Sequence, residues 1–245
     1  MTKKVGTKAP GPDRLMGPLA RRIIEYTEVT AIAILLAFFL RTFVVQAFVI
    51  PTGSMEDTLL RGDHILVNRM VFSDDGLGPL RSVLPVSQPE RYDIAVFKNP
   101  TNLKLDYIKR MIGLPGDTID CRDKMVSING TEAVWGFERH ADPRIFPRQF
   151  SVRDSFGPIK VGEDRYFMMG DNRDNSLDSR FWGALNGDLI KGKAFMIYWS
   201  WTPLEVALEK MEGVAAPNSL AELIWFNITH LGDRLRMERF LKLVR

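Results

Sequence analysis

The sequence predicts a mainly β protein: one N-terminal membrane helix, an all-β domain behind it, and a short helical tail. Three observations carry that class. An apolar run, Val29 to Leu40, follows a basic N-terminus. Short β-rich runs separated by Gly, Pro, Asn and Asp fill the middle of the chain. After Pro203 the apolar spacing becomes helical.

At 245 residues with 45% apolar content, the chain can bury one sizeable core. The formal net charge of +3 gives no electrostatic case for nucleic-acid binding. Cys121 is the only cysteine, so the fold cannot depend on an internal disulfide.

The apolar run admits two membrane spans. Ile23 to Leu40 carries Glu25 and Glu28 in its first turns, whereas Val29 to Ile50 carries Arg41 near its middle. A charge at mid-bilayer costs about 2.5–3.5 kcal/mol on insertion scales, while terminal charges reach the headgroups, so the first span is preferred. A cleaved signal peptide has the same basic-then-apolar order, but no clear small-x-small site follows the run. The expectation is a retained single-pass anchor over residues 23–41. The basic residues 1–22 then lie in the cytoplasm and everything later on the exported side of the inner membrane.

The β domain is expected over 42–203. Its strand candidates include HILVNRMVF, DIAVFKN, DYIKRMIGL, DRYFMMG and KAFMIYWSW. Asn129-Gly130 between two such runs signals a type I′ hairpin. A surface loop is expected at Ser73 to Glu90. Residues 132–160, with Pro143, Pro147 and Pro158, read as an irregular insertion.

Three elements carry candidate chemistry. Ile50-Pro51-Thr52-Gly53-Ser54-Met55 places a serine beside glycine on a defined turn, expected to be exposed. In Asp106-Tyr107-Ile108-Lys109-Arg110, a core-facing Lys109 would be desolvated and its pKa lowered, making the amine a base; the bland alternative is a solvated lysine. The third is Gly170-Asp171-Asn172-Arg173-Asp174-Asn175-Ser176-Leu177-Asp178-Ser179-Arg180. Its acidic density suggests a calcium loop, but counting from Asp171, the sixth position is Ser176 instead of glycine and the twelfth is Trp182 instead of glutamate.

Ser54-Met55, Lys109-Arg110 leading into Gly113 to Asp117, and the Gly170 to Arg180 run together resemble the bacterial type I signal peptidase family. The resemblance spans roughly Ile23 to Trp201 and implies a serine endopeptidase domain of coiled antiparallel sheets. It implies Ser54 as nucleophile and Lys109 as general base. Ser176 would orient the lysine amine, and Asp178 and Arg180 would form a supporting ion pair. The oxyanion would be held by the Ser54 N–H and the Thr52 hydroxyl, where the family often has serine. Ile50, Met55, Leu59 and Tyr107 would line the first substrate pocket, and Phe48, Ile50, Ile65, Val96 and Ile108 the third, selecting small residues at P1 and P3. The implied partners are exported preproteins and membrane lipid, with a monomeric enzyme and no metal or organic cofactor.

Histidine is the commoner partner of a catalytic serine. His64, His140 and His230 are the candidates, but a histidine mechanism leaves the three motifs unexplained. A self-cleaving repressor of the serine–lysine type would share the dyad but lack the anchor. A non-catalytic, membrane-tethered β-rich binding module is the remaining alternative.

The tail, 204–245, is expected to be amphipathic and to rest on the membrane surface. Ser219-Leu220-Ala221-Glu222 reads as a capping box opening a helix with Leu220, Leu223, Ile224, Ile228 and Leu231 on one face, ended by Gly232. A second helix from Asp233 would set Leu235, Phe240, Leu241 and Val244 against Arg234, Arg236, Arg239, Lys242 and Arg245.

Overall fold

The computed structural model describes residues 17–39, 41, 44–71, 88–211 and 216–244. The greater part of the loop expected at Ser73 to Glu90 lies outside the described residues.

Two compact units divide the chain, residues 1–44 and 45–245. Among its described residues the first contains the helix α1 (Pro18–Phe39). Among the described residues no helix is long and apolar enough to cross a membrane. The reason lies in the composition of α1, which starts before Ile23 and takes Arg21, Arg22, Glu25 and Glu28 into its first half.

The second unit is built from strands β1 (Val45–Val49), β2 (Asp63–Asn68), β3 (Ile94–Asn99), β4 (Asn102–Gly113), β5 (Thr118–Arg122), β6 (Met125–Ile128), β7 (Thr131–Glu132), β8 (Phe156–Lys160) and β9 (Arg165–Met169). These are followed by α2 (Ser179–Trp182), β10 (Leu185–Asn186), β11 (Ile190–Ser200), α3 (Leu204–Lys210), α4 (Leu220–Thr229), α5 (Leu231–Arg234) and β12 (Lys242–Leu243). The larger sheet runs β1-β2-β11-β3-β4-β9-β10, with β12 also on β11; the smaller runs β7-β6-β5-β8. Every strand pair among the described residues is antiparallel.

Burial explains the order. On β3, Ile94 and Val96 enter one core cluster and Ala95 and Phe97 another, so this strand is covered on both faces, as its unbroken apolar run requires. β4 is exposed from Asn102 to Asp106 and turns inward from Ile108 to Gly113. Its end is set by Pro115, which lacks an N–H, and by Gly116 at φ 88°; Asp117 closes the turn by accepting from the Leu114 N–H at 2.7 Å.

The β6–β7 hairpin turns at Asn129 (φ 54°) and Gly130 (φ 80°), the two positive φ angles of a type I′ turn. The irregular stretch is shorter than expected, because Phe156–Lys160 pairs with β5 as β8, with Phe156 in the core.

The tail departs from expectation more sharply. α4 begins as predicted, with Ser219 Oγ accepting from the Glu222 N–H at 3.2 Å, but Glu222 reaches back to the Asn218 N–H. Leu220, Ile224, Ile228 and Leu231 are exposed, and Phe226 is the buried residue. Among the described residues no second amphipathic helix follows α4. Gly232 lies within the short α5, and a 3-10 turn (Met237–Arg239) and β12 follow. Arg234 and Arg239, expected on a solvated face, are buried. Arg234 donates to the Thr202 carbonyl at 3.0 Å and Arg239 pairs with Asp63, and these buried acceptors override helical periodicity.

Candidate active site

Ser54 lies in the turn between β1 and β2. The turn is closed at its base by the Gly62 N–H to the Ile50 carbonyl (2.8 Å) and the Ile50 N–H to the Asp63 carbonyl (2.9 Å). Gly62 sits at φ 85°, and a Cβ there would lie 1.9 Å from the Trp201 carbonyl oxygen, so no side chain fits. Ile50, Met55 and Leu59 plug the turn into the core. That anchoring buries Ser54, at 6% exposure, where its Pro-Thr-Gly-Ser composition predicts an exposed serine.

Lys109 approaches from β4 on the face shared with Tyr107 and Met111. Its Nζ is 2.6 Å from Ser54 Oγ and 5.5 Å from the Tyr107 ring centroid. Burial lowers the Lys109 pKa from 10.5 to about 8; the Asp178 charge opposes this, Arg180 adds to it, and Asp171 opposes it. None of the three histidines is hydrogen-bonded to Ser54: His64 meets the edge of Tyr198, His140 is exposed, and His230 caps α4.

The Gly170 to Arg180 segment wraps the same turn. The Asn172 N–H donates to the Ser54 carbonyl at 3.1 Å, and Asn172 Nδ2 to the Gly53 carbonyl at 3.1 Å. Each of its carboxylates faces a cation: Asp171 pairs with Arg110, Asp174 with Lys124, and Asp178 with Arg180. The Asp178–Arg180 pair is fully internal at 2.7 Å, and Asp178 also accepts from the Gly170 N–H at 3.0 Å. Burial pushes the Asp178 carboxyl up, but the Arg180 charge and hydrogen bonds outweigh it and hold the carboxyl below its ordinary range.

Sequence reasoning passed over several groups around the turn. Asp171 receives both Arg110 Nε (2.8 Å) and Nη2 (2.7 Å), and also the Thr58 hydroxyl (2.6 Å). Arg110 was visible only as the neighbour of Lys109; a charge set in a strand between Ile108 and the apolar Met111-Ile112 was the available signal.

Two expected roles meet a different geometry. Ser176 is buried with its hydroxyl turned toward Asp178, whose carboxyl it helps to hold down, and among the described residues no hydrogen bond of normal geometry joins its Oγ to the Lys109 amine. Thr52 is exposed at the edge of the turn. Of the expected pocket residues, Ile50, Met55, Leu59, Ile65, Val96 and Ile108 form one core cluster, with Phe48 packed against it. Met55, Leu59 and Ile65 are wholly buried there, and Tyr107 packs instead with Phe97 and Met111.

A hydroxyl and a partly neutral amine in contact, shielded from water and without a histidine between them, can together act as nucleophile and proton acceptor, as in serine–lysine hydrolases. The family described as Signal peptidase, peptidase S26, matches residues 23–199. A signal peptidase I from Pseudomonas aeruginosa is 34% identical over 73% of this chain and 73% of its own. One from Aquifex aeolicus is 34% identical over 68% of this chain and 80% of its own, and a signal peptidase I P from Bacillus subtilis subsp. natto is 35% identical over 64% and 78%. A solved signal peptidase I from Enterococcus faecalis overlaps 44% of this chain and 97% of its own at 30% identity, with a TM-score of 0.36. The chain belongs to the signal peptidase family, peptidase S26, and is a serine protease of that family.

Proposed function

We propose that the chain is a membrane-bound endopeptidase that removes N-terminal signal peptides from exported preproteins. The observation that carries the chemistry is the buried 2.6 Å contact between Lys109 Nζ and Ser54 Oγ. In its neutral form the amine accepts the Ser54 proton as Oγ attacks the scissile carbonyl. The protonated lysine then gives that proton to the leaving amine, and the acyl-enzyme is hydrolysed by a water that Lys109 deprotonates in turn.

The oxyanion is assigned to the Ser54 N–H, with the Thr52 hydroxyl turning in when substrate binds; each such donor contributes about 3–4 kcal/mol in the transition state. Asp178 and Arg180 hold the Gly170 to Arg180 segment against the turn, and Ser176 rotates onto the amine once it is protonated. Phe48, Ile50, Met55, Leu59, Ile65, Val96, Tyr107 and Ile108 leave room only for small residues at P1 and P3, since a bulky residue displaces packed side chains at a cost of about 1–3 kcal/mol.

A membrane location is supported by the uncharged run Val29–Phe39 of α1, with basic residues on its N-terminal side. The N-terminus then faces the cytoplasm and the β domain the exported side. Purified full-length enzyme should cut a preprotein at the signal-peptide junction, and the Ser54→Ala variant should leave it intact. Cleavage by that variant refutes the assignment.

A further inference from the structure

The last residues of the chain lie beyond the family match, which ends at 199, yet they reach the turn that bears Ser54. Asp63, at the first position of β2, is wholly buried where the turn closes. Its carboxylate accepts the Leu60 N–H (2.8 Å) and the Ser200 hydroxyl (2.7 Å). Opposite it stands Arg239, itself 7% exposed, in a forked contact: Nε to Oδ1 at 3.1 Å and Nη2 to Oδ2 at 2.5 Å. The same Nη2 donates to the Thr58 carbonyl at 2.9 Å. Arg236 adds a bond to the Arg61 carbonyl at 2.7 Å and lies 3.5 Å from Asp63. The segment itself is fixed by pairing of β12 with β11.

Thr58 is therefore held on both sides. Its carbonyl is bound by Arg239 from the tail, and its hydroxyl donates to Asp171, the partner of Arg110, which neighbours Lys109. Ser54 sits on a turn gripped by two buried guanidinium–carboxylate pairs that meet at one residue. A serine–lysine pair works only while its two atoms stay in register, and small displacements of a reacting group are costly in rate.

We propose that the C-terminal segment is a positioning element of the active site, with Arg239 as the positioning residue that fixes the nucleophile turn through Asp63 and the Thr58 carbonyl. Arginine is the residue suited to this, because a planar fork serves a carboxylate and a carbonyl together, whereas a lysine offers one point charge. The inference rests on Ser54 being the nucleophile.

The test compares full-length wild type, Arg239→Lys, Arg239→Met and Ser54→Ala on one preprotein, with kcat and KM measured separately and folded protein quantified by far-ultraviolet circular dichroism. Arg239→Lys keeps the charge opposite Asp63 but loses the fork, and it should lower kcat at least about threefold with KM within about twofold. Arg239→Met should lower kcat at least about tenfold per folded molecule. A purely structural tail would instead reduce the amount of folded enzyme and leave its kcat unchanged. Wild-type kcat in Arg239→Lys beside an inactive Ser54→Ala overturns this inference alone, and that comparison stands even where Arg239→Met does not fold. Turnover by Ser54→Ala overturns the nucleophile assignment and this inference with it.

Discussion

The Lys109 amine lies 2.6 Å from the Ser54 hydroxyl oxygen, and both side chains are shielded from solvent. In the proposed dyad the two groups act as one unit, so removing either removes the whole of their joint contribution. Ser54→Ala and Lys109→Ala should each reduce kcat for preprotein cleavage by at least about a thousandfold, and the double variant should be scarcely worse than either single one. A double variant showing the product of the two losses would mean that the residues act independently.

The pH profile follows from the burial of Lys109. With a pKa of about 8, the amine is mostly protonated at pH 7 and mostly neutral at pH 9. In the proposed mechanism the active form is the neutral one, so kcat/KM should rise about tenfold per pH unit on the acid side and level off above pH 8. A histidine base would set the break near pH 6.5. Steady-state rates of wild type and of His64→Ala, His140→Ala and His230→Ala should trace the same curve; a histidine variant that abolishes the acid limb would place the base elsewhere.

The same burial destabilises the fold. The Lys109 pKa is about 8 in the folded protein and 10.5 ordinarily, so between those values the unfolded chain binds a proton that the folded chain does not. Stability attributable to this group therefore rises with pH across that window, and below it the full penalty, about 3 kcal/mol, remains. Lys109→Met, similar in volume and uncharged, should raise the melting temperature at pH 7 by a few degrees and give little or no gain near pH 10.5. Melting curves of the two proteins at both pH values check the sign, and a variant less stable at pH 7 contradicts it.

Strand and turn chemistry was the most legible part of the sequence. Asn129-Gly130 signalled its hairpin because only positive φ at both positions matches the twist of the strands. Gly157 and Pro158 concealed β8, since both residues ordinarily argue against a strand. The motifs pointed to Ser54 and Lys109, but not to the burial of Ser54, which depends on Ile50, Met55 and Leu59 packing beneath it. Nor could local pattern show that Asp171 pairs with Arg110 across 61 positions, or that Arg239 pairs with Asp63 across 176. The tail's arginines alternate with apolar residues as on an amphipathic helix, and only the distant carboxylate and carbonyls show why they turn inward.

Gly170 gives the sharpest test of how closely the Gly170 to Arg180 segment is fitted to the serine turn. A Cβ at this position would lie 2.5 Å from the Ser54 carbonyl oxygen and 2.3 Å from Ser176 Oγ. The Ser176 hydroxyl can rotate away, though its Cβ at 2.6 Å cannot, and the Ser54 carbonyl belongs to the turn itself and is bound to the Asn172 N–H at 3.1 Å. Gly170→Ala must therefore push the turn outward and separate Ser54 Oγ from Lys109 Nζ. The strain should cost about 1–3 kcal/mol of stability, seen as a lowered denaturation midpoint. The displacement should lower kcat by roughly a hundredfold, since a shift of about 1 Å at a reacting group has that scale of effect. Ser176→Ala removes the 2.3 Å contact but leaves the Ser54 carbonyl oxygen at 2.5 Å and the Ser176 Cβ at 2.6 Å, so adding it to Gly170→Ala should recover little activity. Full recovery in that double variant would show that the Ser176 hydroxyl, and not the Ser54 carbonyl, sets the limit at Gly170.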